Sequence, residues 1–452
     1  MTPAPEQFAQ STRLEVLRAA LGTGGTRQVG RLLNDLNPAE IADLLESLPL
    51  TQRAIVWELV DVEHEGSVLV EVNDEVRNSL ISRMDSAEVV AAASNLDIDD
   101  LADLVGELPE PINREVLRSL DVGDRLSLQT VLKYEEDSAG GLMNPDTLTV
   151  RGDVTVEVVL RYLRMLREIP ADTDALFVVN RDDGYLGCLY ITRLITADPG
   201  QAVSEIMDTG VPAIGATVAA AEVATLFENY DLVSAAVIDD NGKLLGRITV
   251  DDVVDVIIDE ANRSVLSMAG LDEDDDMFAP VVVSARRRSI WLGVNLATAF
   301  LAAGVAGLFE ATLDEVVMLA ILMPVVPSMG GIAGSQTLIL ITRGIALGQI
   351  ERSNARWLLS KEFGVALLNA AGWACVVALV TSWWFETWKI GLVIALALSA
   401  NLLCAAVAGV CIPLTLKRLG IDPALAGGVV LTTITDVVGL AAFFGFGTWI
   451  LL

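Results

Sequence analysis

The sequence predicts a multidomain membrane protein: an all-α superhelical N-terminal domain, two α/β modules in tandem, a connecting helix and a five-helix α transmembrane domain. Three observations predict it. Asp and Glu total 61 against 30 Lys and Arg, a net charge of −31, yet the mean hydropathy is +0.51. Carboxylates and apolar residues must therefore occupy different regions: 7 basic and 8 acidic residues lie from Ser289 onward, while the first 285 residues carry 20 basic and 53 acidic ones, a net −33. Five long charge-poor runs fill the second region, and two internal repeats of different kinds fill the first.

The same composition excludes several classes. So acidic a half repels phosphate backbones, which argues against nucleic-acid binding and in favour of cations. Cys188, Cys375, Cys404 and Cys411 show no CxxC spacing, so neither a disulfide framework nor a zinc site is indicated. The single histidine, His64, removes His-rich metal sites and triad catalysis from consideration. The opening MTPAPEQFAQ lacks a basic-then-apolar signal pattern, so the acidic half is expected to remain cytoplasmic.

The first repeat is helical. Residues 36–49, LNPAEIADLLESLP, return sixty positions later as LDIDDLADLVGELP at 96–109, with a partial copy from Met84 to Val90 between them. Asn37 or Asp97 reads as an N-cap, apolar residues follow at helical spacing, and Pro49 or Pro109 closes the unit. Such units cannot bury an apolar face alone, which predicts a small right-angled stack of helices up to about residue 130.

The second repeat is mixed. Gly141-Leu142-Met143, a Val-rich stretch, a helix, Leu176–Asn180 and Gly184–Gly187 form one copy. Glu205-Ile206-Met207, a helix, Ala235–Asp239 and Gly242–Gly246 form the next, and Thr192 and Thr249 each open a final helix. Strand, Asx-Gly turn, strand and capped helix predict one small α/β module used twice. The pattern resembles a tandem pair of CBS domains, and that resemblance implies a dimerising regulatory module that often binds adenine nucleotides. After Val256 the helix reads on to Arg263, followed by Leu271-Asp272-Glu273-Asp274-Asp275-Asp276, an acidic run of the solvated, flexible kind.

Charge-poor runs at about 289–309, 316–342, 363–385, 390–416 and 423–451 each suffice to cross a bilayer, which takes roughly 20 residues. Five spans place the termini on opposite sides. Arg286, Arg287, Arg288, Arg343, Arg352, Arg356, Lys361, Lys417 and Arg418 fall on one side; Lys389, with Glu310, Asp314, Glu315 and Glu386, falls on the other. The positive-inside bias puts the acidic half in the cytoplasm and the C-terminus outside, in the periplasm of an inner-membrane protein.

Asp436 is the sharpest single residue, a carboxylate within the otherwise apolar last run. Isolated, it would cost at least about 2.5 kcal/mol, so it should face a pore, a partner or a cation. Hydrogen bonding to Thr432 or Thr435 at a packing contact is the plainer alternative. The second run carries Pro324, Pro327, Gly330, Gly331 and Gly334, which either break the helix to line a wet path or only let helices approach. In the cytoplasm, Asp97, Asp99, Asp100 and Asp103 form one acidic cluster, and Asp251, Asp252, Asp255, Asp259 and Glu260 another. Asp251, Asp255 and Asp259 share a helical face, which is either solvated or bridged by divalent cations.

Taken together the chain resembles the MgtE-type magnesium channels, related to solute carrier 41, over nearly its whole length. The matching motifs are Tyr134–Met143, Thr249-Val250-Asp251-Asp252-Val253, Gly330-Gly331-x-x-Gly334-x-Gln336, Leu419–Leu425 and Asp436. The resemblance implies a helical N domain at 1–133, CBS domains at 134–200 and 201–258, a plug helix and acidic linker at 259–285, and a pore domain at 286–452. It implies a homodimer in the lipid bilayer whose paired Asp436 carboxylates bind hydrated Mg²⁺, with Gly330, Gly331, Gly334, Ser335 and Thr432 lining the path. It also implies regulatory Mg²⁺ at Asp99, Asp103, Asp231, Asp252, Asp255, Asp259, Glu260 and Asp422, and ATP or another adenine nucleotide at the CBS domains. Ser335 stands where many relatives have Asn, and Ala219, Ala221, Arg263 and Ser264 stand where some have acidic residues. A membrane-anchored nucleotide sensor and a broader Co²⁺ or Mn²⁺ transporter are the alternatives. A membrane enzyme would need a nucleophile–base pair or phosphate loop that the sequence does not offer.

Overall fold

A computed structural model describes residues 5–22, 25–166, 169–170, 173–267, 270–271, 276–346, 349–350 and 353–452. Asp272, Glu273, Asp274 and Asp275 of the acidic run, and Arg352 among the loop charges, lie outside these residues. The chain divides into two compact units, Met1–Ala261 with Asp274–Ala279, and Asn262–Glu273 with Pro280–Leu452.

Ten helices open the first unit: α1 (Pro5–Gly22), α2 (Thr26–Asn34), α3 (Pro38–Glu46), α4 (Leu50–Trp57), α5 (Val62–Glu71), α6 (Asp74–Ile81), α7 (Ser86–Ala93), α8 (Ile98–Glu107), α9 (Glu110–Ser119) and α10 (Val122–Val131). Helices α2 to α10 are each too short to persist alone in water, so packing between helices holds them: α3 on α5, α5 on α7, α7 on α9, and α8 on α5 and α10. The repeat is readable in the caps. Asn37 and Asp85 both form capping boxes, with Glu40 and Glu88 reaching back. Asp97 occupies the N-cap of α8 in extended conformation but its side chain makes no capping bond, a departure from the sequence expectation. Pro49 and Pro109 end one helix and start the next.

A second device recurs. Arg53 Nε donates to Leu45 O at 2.9 Å, Arg77 Nε to Leu69 O at 2.7 Å, and Asn113 Nδ2 to Val105 O at 3.2 Å. Each spans eight residues and satisfies a carbonyl at a helix end. Arg77 finds its counter-ion in Glu107, within the stack. Arg53, 1% exposed, finds it in Asp276, with bonds of 2.7 and 3.1 Å from its two terminal nitrogens. Glu75 accepts from the Asp276 backbone N–H at 2.9 Å. The last residue of the acidic run is thus buried in the helical stack, not solvated as its composition suggested.

The α/β repeat folds as two like sheets. β1 (Thr149–Arg151), α11 (Val156–Leu166), β2 (Ala175–Val179), β3 (Tyr185–Tyr190) and α12 (Ile191–Thr196) make the first copy. The short α13 (Val203–Ile206) leads to β4 (Ile214–Gly215), α14 (Ala220–Tyr230), β5 (Ser234–Ile238), β6 (Leu244–Thr249) and α15 (Val250–Ser267) of the second. In both, the first strand pairs parallel to the second and the second antiparallel to the third, with a bulge at the same place. Asn180 and Asp239 cap the matching hairpin turns with their side chains, and Asp183 and Gly242 take the left-handed conformation there.

The copies also exchange their opening segments. Asn144 exchanges backbone hydrogen bonds with Arg247 of β6, and Asp208 with Cys188 of β3. A Cβ on Gly246 would come within 2.7 Å of Asn144 O, and one on Gly187 within 2.4 Å of Asp208 O, so both positions require glycine.

Five helices of the second unit are long and apolar enough to span a membrane. They are α16 (Val281–Gly307); a broken pair, α18 (Val317–Leu322) and α19 (Val325–Ala346), preceded by the short α17 (Glu310–Glu315); α20 (Ala355–Phe385); α21 (Trp388–Arg418); and α22 (Pro423–Leu451). The second span breaks at Met323-Pro324, as its prolines predicted. Helices α16 and α20 begin eight residues before the apolar runs because they carry Arg286–Arg288 and Arg356–Lys361 in their first turns. α21 is the most buried span and packs against α19, α20 and α22. Exposed Trp383, Trp384, Trp388 and Trp449 gather at one end of the bundle, as interfacial anchors do.

Asp276→Ala would leave the Arg53 guanidinium buried without its carboxylate, at a cost of about 3 kcal/mol. Urea unfolding of the first unit should shift accordingly, and Arg53→Leu with Asp276→Leu should recover most of the loss. An unchanged midpoint for Asp276→Ala would show that this ion pair contributes nothing in solution.

Candidate functional site

Two acidic sites emerge, one in each unit. In the first unit, α8 of the helical stack brings Asp99, Asp100 and Asp103, all partly buried, and α15 brings Asp251 and Asp252. Asp99 accepts from Asn144 Nδ2 at 3.2 Å, which ties it to the exchanged segment of the α/β pair. Asp252 accepts from the Thr249 N–H at 3.2 Å and its hydroxyl at 3.0 Å, so the residue caps α15 as well as facing α8.

Burial, then neighbouring carboxylates, raises these groups. Asp99 is pushed up to about 7 by burial and by the charges of Asp100 and Asp97. Asp252 is pushed up to about 7 by burial and by Asp99 and Asp251. Asp100 reaches about 6 through burial, Asp97, Asp252 and Glu71. Asp103 reaches about 7 through burial and Glu136, with Arg77 opposing. Asp255 is raised by burial, Asp259 and Asp251, and Glu71 by burial and Asp255. The clusters that the sequence showed separately, around residue 100 and residue 255, therefore feel each other's charge. Glu71 and Glu136 join them, and no local pattern in the sequence had marked either.

Other expected ligands are placed differently. Asp259 and Glu260 are exposed on α15. Asp231 is the exposed left-handed C-cap of α14, and no hydrogen bond or ion pair joins it to the cluster among the described residues. Asp422, in the second unit, is the N-cap of α22 and accepts from Ala424 N at 2.8 Å. Among the described residues no three His, Cys, Asp or Glu side chains converge tightly enough to enclose a bare metal ion. The donors in the cluster are hard carboxylate oxygens. Beside the cluster lies a cavity of about 900 Å³ lined by Ile169, Pro170, Thr173, Asp174, Asp251 and Asp255, among others.

In the second unit, α22 carries Thr432 and Asp436 one turn apart on a face only partly covered, while Thr435 is fully buried. Thr432 Oγ1 donates to Gly428 O and Val429 O, and Thr435 Oγ1 to Thr432 O, so these hydroxyls are spent on their own helix. Among the described residues nothing donates to the Asp436 carboxylate. On α19, Gly331 and Ser335 are likewise half-buried and one turn apart, and a Cβ on Gly331 would lie 4.0 Å from Thr435 Oγ1. Gly330 and Gly334 face inward: a Cβ would strike Asn401 of α21 at 2.1 Å and Leu431 of α22 at 2.9 Å. The glycines of this run thus serve two faces, Gly330 and Gly334 the packing of helices and Gly331 the open side. Asn401 was not singled out from the sequence, although it is the one carboxamide in the run 390–416.

Known proteins are similar to this chain over most of its length. The profile of a family described as "Divalent cation transporter" matches residues 323–446, that of the "MgtE intracellular N domain" residues 36–137, and that of the CBS domain residues 139–200 and 203–259. A magnesium transporter MgtE of Bacillus subtilis is 29% identical over 428 residues, 95% of each chain. One of Thermus thermophilus is 31% identical over 434 residues, 94% of this chain and 96% of that one. A crystal structure of the cytosolic domain of the Mg²⁺ channel MgtE with ATP is 32% identical, covering 54% of this chain and 99% of that chain at a TM-score of 0.49. With such identity across nearly the full length of both sequences, the chain belongs to the MgtE family of divalent cation transporters.

Proposed function

We propose that this chain carries Mg²⁺ across the inner membrane, as a homodimer, and that cytoplasmic Mg²⁺ closes it. The observation that carries the transport reading is Asp436: a carboxylate within a spanning helix, without a donor among the described residues, on a half-covered face beside Gly331 and Ser335. An intramembrane carboxylate left in that condition needs a cation or water to offset its burial. Mg²⁺ gives up its waters reluctantly, so two Asp436 side chains across a dimer axis would hold it through its hydration shell. Thr432 and Ser335, on the same faces, present oxygens to those waters. The family is one of transporters, and no enzymatic step enters this reading.

Closure rests on the cytoplasmic carboxylates. Asp99, Asp100 and Asp103 against Asp252, with Asp255, Asp259, Glu260 and Asp231 as further oxygens of the same unit, form the proposed regulatory set; Asp422, at the N-terminus of α22, is proposed separately as a cation-facing oxygen of the second unit. Like charges repel within the Debye length of about 8 Å, and a divalent cation that neutralises them favours the compact arrangement. An adenine nucleotide is the proposed occupant of the 900 Å³ cavity, supported by its size, the apolar walls of Ile169, Pro170, Val233 and Val254, and the polar Thr173 and Asp174. The carboxylates of Glu71, Asp251 and Asp255 around it would admit a triphosphate only as its Mg²⁺ complex.

Asp436→Ala should abolish Mg²⁺ flux into liposomes holding only the purified protein, while the dimer still assembles. Wild-type flux in that variant would remove Asp436 from the path. A cysteine at Leu452 should be labelled from the periplasm and one at Arg418 from the cytoplasm only; the reverse pattern would break the proposed orientation.

The raised carboxylates predict a pH dependence. The folded unit holds protons that the unfolded chain releases between about pH 4 and pH 7, so without divalent cation its stability falls as pH rises through that window. Mg²⁺ should replace those protons. Its effect on the melting temperature of the cytosolic unit should be larger at about pH 8 than at about pH 6, and binding near neutrality should release protons. Asp252→Asn should shrink the difference. A Mg²⁺ shift independent of pH would mean that these carboxylates are not its ligands.

A further inference from the structure

Asn401 lies midway along α21, wholly buried in the most enclosed span of the second unit. Its Nδ2 donates to Val326 O at 2.8 Å, three residues past the break at Met323-Pro324. Its Oδ1, equally buried, has no hydrogen-bond partner. The carboxamide fills space that two glycines leave open. A Cβ on Gly330 of α19 would come within 2.1 Å of Nδ2, and one on Gly439 of α22 within 2.7 Å. Asn401 is therefore a peg seated between α19 and α22, at the level of Gly331 on one helix and about one turn from Asp436 on the other.

The peg is a poor choice for stability alone. Helical register already supplies Val326 O with the Gly330 N–H, so the bond from Asn401 is a second one on the same acceptor. An orphaned buried carbonyl is costly, and a leucine of the same branched shape would leave none. What the carboxamide does supply is a directional link between the broken second span and the centre of the bundle. Apolar contacts between spans slide easily in lipid; an interhelical hydrogen bond fixes register.

We propose that Asn401 is a positioning residue of the ion path: it pins the start of α19 beside α22 and so sets the spacing of Gly331 and Ser335 from Asp436. That spacing determines how closely the oxygens of the path fit a hydrated ion, and hence the discrimination between Mg²⁺ and other hydrated divalent ions such as Mn²⁺. The proposal rests on Asp436 as the ion-facing group.

The test uses the full chain in liposomes and measures Mg²⁺ and Mn²⁺ flux for each variant. Asn401→Leu keeps the branched shape with somewhat greater bulk and removes both hydrogen-bonding functions. Asn401→Ala combined with Gly330→Ala moves the lost volume onto α19, where a Cβ then has room. Both should assemble as dimers with melting temperatures at or above the parent's, yet show about a fivefold fall in the Mg²⁺ to Mn²⁺ flux ratio, the effect of losing one hydrogen bond. Should Asn401→Leu not assemble, the double variant decides by the same ratio. An unchanged ratio in an assembled variant makes Asn401 a space-filler and overturns the proposal; failure of both to assemble overturns it too, because Asn401 then holds the fold itself. Asp436→Ala, run beside them, keeps the two readings apart: flux through that variant defeats Asp436 as the ion-facing group whatever the Asn401 ratio shows.

Discussion

Carboxylates held together and partly away from water are the constraint around which the first unit is organised. Asp99, Asp100 and Asp103 on α8 and Asp252 on α15 come from elements that must touch for the helical stack and the second α/β copy to share one apolar core, as they do through Leu101, Leu104, Val253 and their neighbours. Hydrophobic burial pulls these elements together, and the charges on their rims push them apart. Burial and mutual repulsion raise several of these groups toward neutrality, so protons can offset part of the repulsion. A divalent cation can do the same at higher pH.

The membrane unit solves the opposite problem. There, two polar groups are under-satisfied, Asp436 on a half-covered face and Asn401 Oδ1 in the interior, whereas the buried Glu362 accepts from Thr337 and Lys361. Glycines make room for each contact. Gly330 and Gly439 receive Asn401, Gly334 receives Leu431, and Gly409 lies against Thr337 and Gly334 O. Close packing on the inner faces leaves the outer stripe of Gly331, Ser335, Thr432 and Asp436 free of side chains larger than it needs.

Much of this was legible because it is written in periodic patterns. The five spans, the duplicated α/β module and the capped helix at Asn37 follow from run length, order of elements and local chemistry. Span ends were legible only to within the apolar part, because α16 and α20 extend their basic first turns beyond it. What the sequence hid depends on partners distant in the chain. Asp276 reads as solvent-facing until Arg53, more than two hundred residues earlier, is seen to lack an acid within its own stack. Glu71 reads as surface until α5 is set beside α15. The glycines of the second span looked alike in sequence; only three-dimensional neighbours separate Gly330 and Gly334 from Gly331.

The exchanged segments of the α/β pair bear on how such a molecule could arise. Residues 137–144 open the first copy but hydrogen-bond to the second, and residues 201–208 open the second but hydrogen-bond to the first. Either copy alone would therefore present an unfilled strand position, the kind of edge that recruits another chain. A polypeptide with a single copy would have had to find a second molecule to complete itself. Joining two copies in one chain turns that encounter into an internal one at high effective concentration. The matched glycines, Gly187 and Gly246, are what remains of that symmetry: each is kept small by a segment that belongs to its sister.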